Sequence, residues 1–276
     1  MNARVTTVVV TRDRWPDLRR SLPHHESPVV LVDNASTDGT PERVAEEFPH
    51  VRVIRLDENL GAVARNVGVV RARTPYVAFA DDDSWWAPGA TDRAADLFEQ
   101  HPALGLVTGR ILLGVEEVVD PMSEEMARSP LPRRGDLPGP SVLGFAACAA
   151  VVRRDAFLSA GGFDGVVFFA GEEERLALDL AAAGWDLAYV ESLVVHHHPS
   201  PARDAAGRRS LIVRNDLLTS IMRRPWPVVL STAGQALVSD AAARRGVARG
   251  VSRAHLALRR RRVVPPAVER QRRLLG

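Results

Sequence analysis

Along the first hundred residues, apolar positions come in short unbroken runs separated by stretches of helical period. Arg4 to Thr11 is a β-branched run of the kind that builds a strand buried on both faces. A helix over Pro16–Leu22 should follow, then a second buried strand, Val29–Asp33, that ends on a carboxylate. After the turn NASTDGT, Pro41 in a first helical turn starts a helix that runs to Phe48. A third strand begins at Val51, a helix follows Gly61 to about Arg73, and Tyr76–Asp83 is a fourth strand that runs straight into three aspartates. A further helix is expected over Pro88–Gln100.

This β-α alternation predicts an α/β protein with a Rossmann-like, mainly parallel sheet covered by helices on both faces. Ligands of such sheets sit beyond the carboxyl ends of the strands, where Thr11, Asp33 and Asp81–Asp83 all fall. The segment 116–140 holds five prolines and mixed charge, so it reads as an irregular excursion. Order returns at Val142–Arg153, a helix is expected over Glu172–Ala183 ahead of Gly184, and an extended LAYV leads to HHHPSP. Beyond Pro201 the pattern is helical and arginine-rich.

Composition adds little until charge is divided along the chain. The 276 residues carry a net +2, with every basic residue an arginine. Residues 1–200 hold 19 arginines against 30 carboxylates, a formal −11, whereas 201–276 hold 17 against 4, a formal +13. Two parts are therefore expected: an acidic α/β domain over 1–200 and a basic helical extension over 201–276. The single Cys148, in an apolar setting, excludes an internal disulfide and a cysteine zinc site. The amino-terminal apolar stretch is too short for a signal core or a membrane span, so a cytoplasmic protein is expected.

The basic tail combines arginines with PWPVVLSTAGQALV, short of the roughly 20 residues that cross a bilayer. Such a surface suits an anionic membrane face or a lipid diphosphate, and equally a cap on the acidic part over 1–200. Peripheral contact at the inner face of the membrane is the localisation this allows. Charge alone would permit nucleic acid, but no recognition motif supports it and none is expected as a partner.

Three adjacent aspartates at a strand end repel one another, and burying them requires compensating cations. A hard divalent ion, Mg²⁺ or Mn²⁺, shared with substrate phosphates would supply that compensation. Several separated segments together resemble family 2 glycosyltransferases of the GT-A fold: VVVTRDR, VDNASTDGT, ENLGAVARNVG, FADDDSWWAPGA, the stretch from GGFDG to AAAGW, and VVHHHPS. In order, they span roughly residues 5–200.

The resemblance implies an inverting transferase that moves a sugar from a UDP-, GDP- or dTDP-linked donor to a hydroxyl acceptor. A glycan, a lipid-linked sugar or a small molecule could be that acceptor, and cell-envelope polysaccharide is the implied setting. It places Thr11, Arg12, Asp33 and Asn34 at the nucleoside. Gly61 would permit close backbone approach, Arg65 would pair with the diphosphate and Asn66 would hold the loop. Asp81 and Asp82 fall near ribose and metal, Asp83 as a direct metal ligand, and His197 at the metal or diphosphate. His196 and His198, alternating on an extended segment, cannot easily share a ligand with His197.

The implied base, which deprotonates the acceptor hydroxyl, is Glu173, with Glu172 as the alternative. The family pattern has Glu-Asp where this chain reads Glu172-Glu173-Glu174, so the side chain is one methylene longer and the register less fixed. Arg175 and Asp179 also stand in reverse of the family order, yet an i, i+4 pair keeps its attraction when the signs swap. Two other classes compete. A sugar-phosphate nucleotidyltransferase normally opens with a glycine-rich loop that VVVTRDRWPD lacks, and a nucleotide-sugar-binding protein without turnover is suggested by the altered base.

Overall fold

The computed structural model describes residues 3–199 and 205–276. The expected alternation is present. β1 (Val5–Thr11), α1 (Trp15–Ser21), β2 (Val29–Asp33), α2 (Thr40–Glu47), β3 (Arg52–Arg55), α3 (Ala64–Arg71) and β4 (Tyr76–Asp81) follow in order. A turn at Asp82–Asp83 then opens β5 (Ser84–Trp86), which precedes α4 (Ala90–Gln100) and the long β6 (Leu104–Leu113).

The segment 116–140 is more ordered than its prolines suggest. A two-residue strand β7 (Val118–Val119) pairs with β6, and α5 (Pro121–Ala127) follows, capped by Asp120, whose side chain accepts from the Met122 amide at 2.8 Å. Proline at the first helical turn starts this helix. Then come β8 (Ala150–Arg153), α6 (Arg154–Ser159), α7 (Glu172–Ala182) and β9 (Asp186–His197). Four helices complete the chain: α8 (Ala205–Arg223), α9 (Trp226–Val238), α10 (Ala241–Arg259) and α11 (Pro266–Leu274).

The strands form one sheet in the order β3-β2-β1-β4-β8-β6-β9-β5, with β7 beside β6. It is parallel across β3-β2-β1-β4 and mixed beyond, because β8 runs antiparallel to both β4 and β6. Register in the parallel part pairs Thr11 with Asp33 and Val10 with Asp81, which puts the ends of β1, β2 and β4 along one edge.

Packing follows the apolar runs. One face of the sheet buries Val8, Val32, Val77 and Phe79 against Val69 of α3, Phe157 of α6 and Leu176 and Leu180 of α7. The other carries two clusters, Ala78, Val107 and Val151 against Phe98 of α4, and Val9 and Leu31 against Leu18 and Val44. Each fully buried Phe or Leu of this kind contributes roughly 1.5–3 kcal/mol. The C-terminal helices join the same body: Leu217, Leu218, Ile221 and Met222 of α8 share a core with Val166 and Val167, and Leu178 of α7 packs with Val264 and Val268. No described helix is long and apolar enough to cross a membrane.

Candidate active site

At the ends of β1, β2 and β4 the chain gathers the residues that the motifs single out. Thr11 is buried, and its hydroxyl donates to Asp82 Oδ2 at 3.1 Å. Asp33 is 0% exposed; its Oδ2 accepts the Ser36 amide at 3.0 Å, while Oδ1 is buried without a hydrogen-bond partner. A buried carboxylate oxygen left unsatisfied is costly, and a base N–H or ribose hydroxyl would satisfy it. Arg12 is exposed and lies 3.6 Å from Asp13. Asp13 and Ala35 both hold positive φ, so the two loops flanking Asp33 carry local backbone strain of the kind found at ligand sites.

Asn34 serves the loops themselves. Its Nδ2 donates to the Gly61 carbonyl at 3.2 Å and its Oδ1 accepts the Leu60 amide at 2.7 Å, fixing the ENLG turn to the end of β2. Gly61 has φ +59°, and a Cβ there would collide with the Phe168 carbonyl. The close approach expected at Gly61 is therefore made by the protein, since Phe168 O also accepts the Ala62 amide at 2.7 Å. Asn66 makes a two-way amide bridge to Phe163, donating to its carbonyl at 2.8 Å and accepting its amide at 2.9 Å. Together these contacts tie α3 to the segment that leads into α7.

The three aspartates divide at the turn that ends β4. Asp81 and Asp83 point to one side and meet His197, with one ligand atom from each lying within 4.8 Å of the others. Asp82 turns toward Thr11 and Arg14. Burial together with the charges of Asp83 and Asp81 pushes its carboxyl up to about 7, against the opposing pull of Arg14 and Thr11.

His197 reaches the cluster because β5 and β9 pair antiparallel with Ser84 opposite His197. Its Nε2 lies 3.2 Å from Asp83 Oδ1, yet it is buried and makes no hydrogen bond. Two carboxylates and an imidazole nitrogen without a hydrogen-bond partner fit a divalent cation of the Mg²⁺ or Mn²⁺ class, the imidazole favouring the latter. His196 and His198 point elsewhere, as alternation requires: both rings pack against Trp85.

Part of the compensation for the acidic cluster comes from the protein. Arg65, 5% exposed, places Nη2 2.6 Å from Asp81 Oδ1 and Nη1 3.5 Å from Glu172. Burial opposes its charge, but the pull of Asp81, Glu172 and Glu173 outweighs that and raises its pKa. Arg14 lies 3.4 Å from Asp83 and 3.7 Å from Asp82. The motif reading did not single out Arg14; a lone arginine after β1 carries no signal until α1 turns it back over the cluster. Trp85 was missed in the same way. It stacks on His24 at 4.5 Å, and with Asp17, Arg20, Asp83 and His198 they line a recess of about 370 Å³.

The acidic run at the start of α7 resolves into three roles. Glu172 is 3% exposed, faces Arg65, and is pushed up to about 8 by burial and by Glu173, with Arg65 opposing. Glu173 accepts the Ala147 amide at 3.4 Å; burial raises its pKa too, while its backbone contacts and Arg65 hold it down. Glu173 and Glu174 face a groove of about 940 Å³ between α5 and α11, with Phe145, Met122 and Leu275 among its walls. Arg272 of α11 pairs with Glu174 at 2.6 Å. The segment entering α7 is strained, with φ +70° at Phe168 and +69° at Ala170. Arg175 and Asp179 do pair, at 2.8 Å, and Arg223 of α8 completes the cluster around Asp179, so this pair faces the helical extension.

A GT-A-like mixed sheet with an acidic-histidine cluster at its strand ends is the architecture of a glycosyltransferase. The model of glycosyl transferase family 2 matches residues 6–159, and the chain belongs to that family. It is similar to the N-acetylglucosaminyl-diphospho-decaprenol L-rhamnosyltransferase of Mycobacterium tuberculosis, 31% identical over 72% of this chain and 78% of that one. Among solved structures it resembles the mannosyltransferase PcManGT of Pyrobaculum calidifontis in complex with GDP-Man and Mn²⁺, with a TM-score of 0.57, 22% identity, and coverage of 93% of this chain and 76% of that one. TarS 1-349 of S. aureus in complex with UDP-GlcNAc gives a TM-score of 0.59 at 16% identity, over 91% of this chain and 72% of that one. These two structures share the fold.

Proposed function

We propose that the protein is an inverting glycosyltransferase that moves a sugar from a nucleoside-diphosphate donor to a hydroxyl acceptor. Arg65 carries this reading, because it spans Asp81 of the acidic cluster and Glu172 of α7 and so joins the donor edge of the sheet to the helix that faces the groove. Residues 1–200 would hold the donor and the chemistry, and 201–276 would form a basic helical extension packed against them. Asp33 and Thr11 would meet the nucleoside, with Arg12 free at its edge. Asn34, Gly61 and Asn66 would act by holding the loops that shape the pocket.

Asp83, His197 and Asp81 would hold Mg²⁺ or Mn²⁺. When bound, that ion offsets the negative charge that develops on the departing diphosphate. The acceptor lies in the groove with its hydroxyl toward Glu173. Glu173 takes the hydroxyl proton, the freed oxygen bonds to the anomeric carbon, and the carbon–oxygen bond to the diphosphate breaks on the opposite face. Inversion at that carbon follows from a single displacement. Burial suits Glu173 to this work, since it raises the carboxyl above its ordinary range, the direction that makes it a stronger base. Glu172, turned to Arg65, is the positioning partner.

The relative's name specifies a lipid-diphosphate acceptor and an L-rhamnosyl donor, and a lipid-linked acceptor suits a groove walled by Met122, Phe145 and Leu275. The reaction would then take place at the cytoplasmic face of the membrane in building envelope polysaccharide. A thermal-shift series with UDP-, GDP- and dTDP-sugars, with and without Mn²⁺, tests the donor side, because a ligand of the native state raises the melting temperature. Silence from every nucleotide sugar would overturn the reading.

A further inference from the structure

Capping the catalytic half occupies a defined set of the tail's cations. Arg214 donates to the Val167 carbonyl at 2.8 Å, Arg223 grips Asp179, Arg260 reaches Asp164 at 2.7 Å and Arg272 pairs with Glu174 at 2.6 Å, while Arg224 is taken up within the tail, 3.1 Å from the buried Glu269. A further group is differently placed. Arg244, Arg245, Arg249, Arg259 and Arg262 are exposed, and among the described residues none has a carboxylate within ion-pair distance.

These cations accompany an uncharged helix. α9 has no charged residue from Trp226 to Val238, and it turns Val229 inward to the core it shares with Leu218 and Met222. Outward it presents Trp226, Leu230 and Leu237, which fall on one face at helical spacing, with Val238 at the margin; Leu230 is 70% exposed and Val238 86%. Arginines hold both ends. Arg261 lies over the Trp226 ring at 4.3 Å, and Arg244 donates to the Ser239 carbonyl at 3.1 Å. Exposed Val263 emerges beside the start of α9, because Arg262 and Val264 hydrogen-bond to the carbonyls of Met222 and Arg223.

We propose that the outer face of α9, with Val263 and the surrounding arginines, is an interfacial surface that seats on an anionic phospholipid bilayer. Charge selects this occupant. Among the described tail residues Asp240 is already held by Arg209, Glu269 is buried between Arg224 and Arg273, and Asp216 is half-buried. A second copy docked through the same face would bring one arginine rim against another, whereas lipid phosphates neutralise it. Trp226 and the aliphatic side chains have the amphipathic form that settles at the headgroup boundary, with guanidinium groups at phosphate level. The surface deepens the lipid-linked-acceptor reading by holding the enzyme where such an acceptor resides.

The test is flotation of the full chain with vesicles of phosphatidylcholine alone or with phosphatidylglycerol, at low and high salt, without nucleotide sugar. Wild type should float with the anionic vesicles and weakly with the neutral ones, and salt should weaken binding because it screens the arginine contribution. The Leu230→Glu/Val238→Glu double variant should lose about tenfold or more in vesicle affinity, which corresponds to about 1.4 kcal/mol. Its melting temperature and its shift with nucleotide sugars should stay at wild-type values, since both side chains are exposed. Absence of wild-type binding at low salt, or equal binding by the double variant, would overturn the proposal. So would α9-dependent dimerisation, seen by light scattering, of a chain that ignores vesicles. Each of these failures leaves the donor assay untouched, so the two readings fail separately.

Discussion

Asp83 Oδ1 and His197 Nε2 face each other at 3.2 Å because the short strand β5 sets Ser84 directly opposite His197 on β9. A single strand pairing therefore brings two residues far apart in the chain into one acidic-histidine cluster.

Substituting Asp83→Asn should abolish Mn²⁺-dependent donor binding, a loss of tenfold or more and so about 1.4 kcal/mol or beyond. His197→Ala should cost less, since water can take the place of an imidazole. Isothermal titration of a nucleotide sugar with and without Mn²⁺ separates the two, and an unchanged Mn²⁺ response in the Asp83 variant would remove it from the ligand set.

Replacing Glu173 by Gln should lower kcat by about a hundred- to ten-thousandfold, as expected for loss of a general base, with donor affinity retained. A variant that keeps its full rate would exclude Glu173 as the base and pass that role to Glu172.

For Glu172 the folded state raises the pKa from an ordinary 4.5 to about 8. The folded chain thus binds this proton more tightly than the unfolded one, so the contribution to stability is present below about pH 4.5 and is lost as pH rises toward 8. Glu172→Gln, neutral at every pH, should lose less stability than wild type between pH 5 and 8. Melting curves across that range check it; parallel profiles would contradict the assignment.

Asp179 is enclosed by Arg175 and Arg223, both buried. Asp179→Asn leaves Arg223 without its carboxylate and Arg175 with only the more distant Asp164 at 3.7 Å, a loss of about 3–5 kcal/mol for a broken buried pair. Urea unfolding should show the midpoint falling accordingly.

Gly61→Ala should displace the Phe168 carbonyl and with it the strained entry to α7. A cost on the order of 1–3 kcal/mol is expected from a non-glycine residue held at positive φ and in collision, together with reduced kcat. Turnover at the wild-type rate would show that Phe168 does not govern the placement of Glu173.

The β1–β4 half of the fold was legible because its signals are local: β-branched runs, a proline at a helix start, a carboxylate at a strand end. The same holds for Asp81, Asp83 and His197, which sit in short motifs. What the chain does not reveal locally is register and return. Nothing in SWW shows that it is a strand, since three residues carry no periodicity and its partner lies at β9. Arg65 could be assigned to a phosphate by motif, but only the packed structure shows its guanidinium held between Asp81 and Glu172. The tail's arginines likewise looked alike in sequence, and burial alone sorts Arg223 and Arg224 from Arg245 and Arg259.

Arg272, Leu274 and Leu275 belong to the wall of the groove, whereas the acidic-histidine cluster at the strand ends is complete at His197. Translation therefore delivers the two halves of the site at different times. A nascent chain that has emerged only through β9 carries the whole acidic-histidine cluster and the α5 side of the groove, but not the α11 side that faces it. The groove is complete only once α11 has left the ribosome.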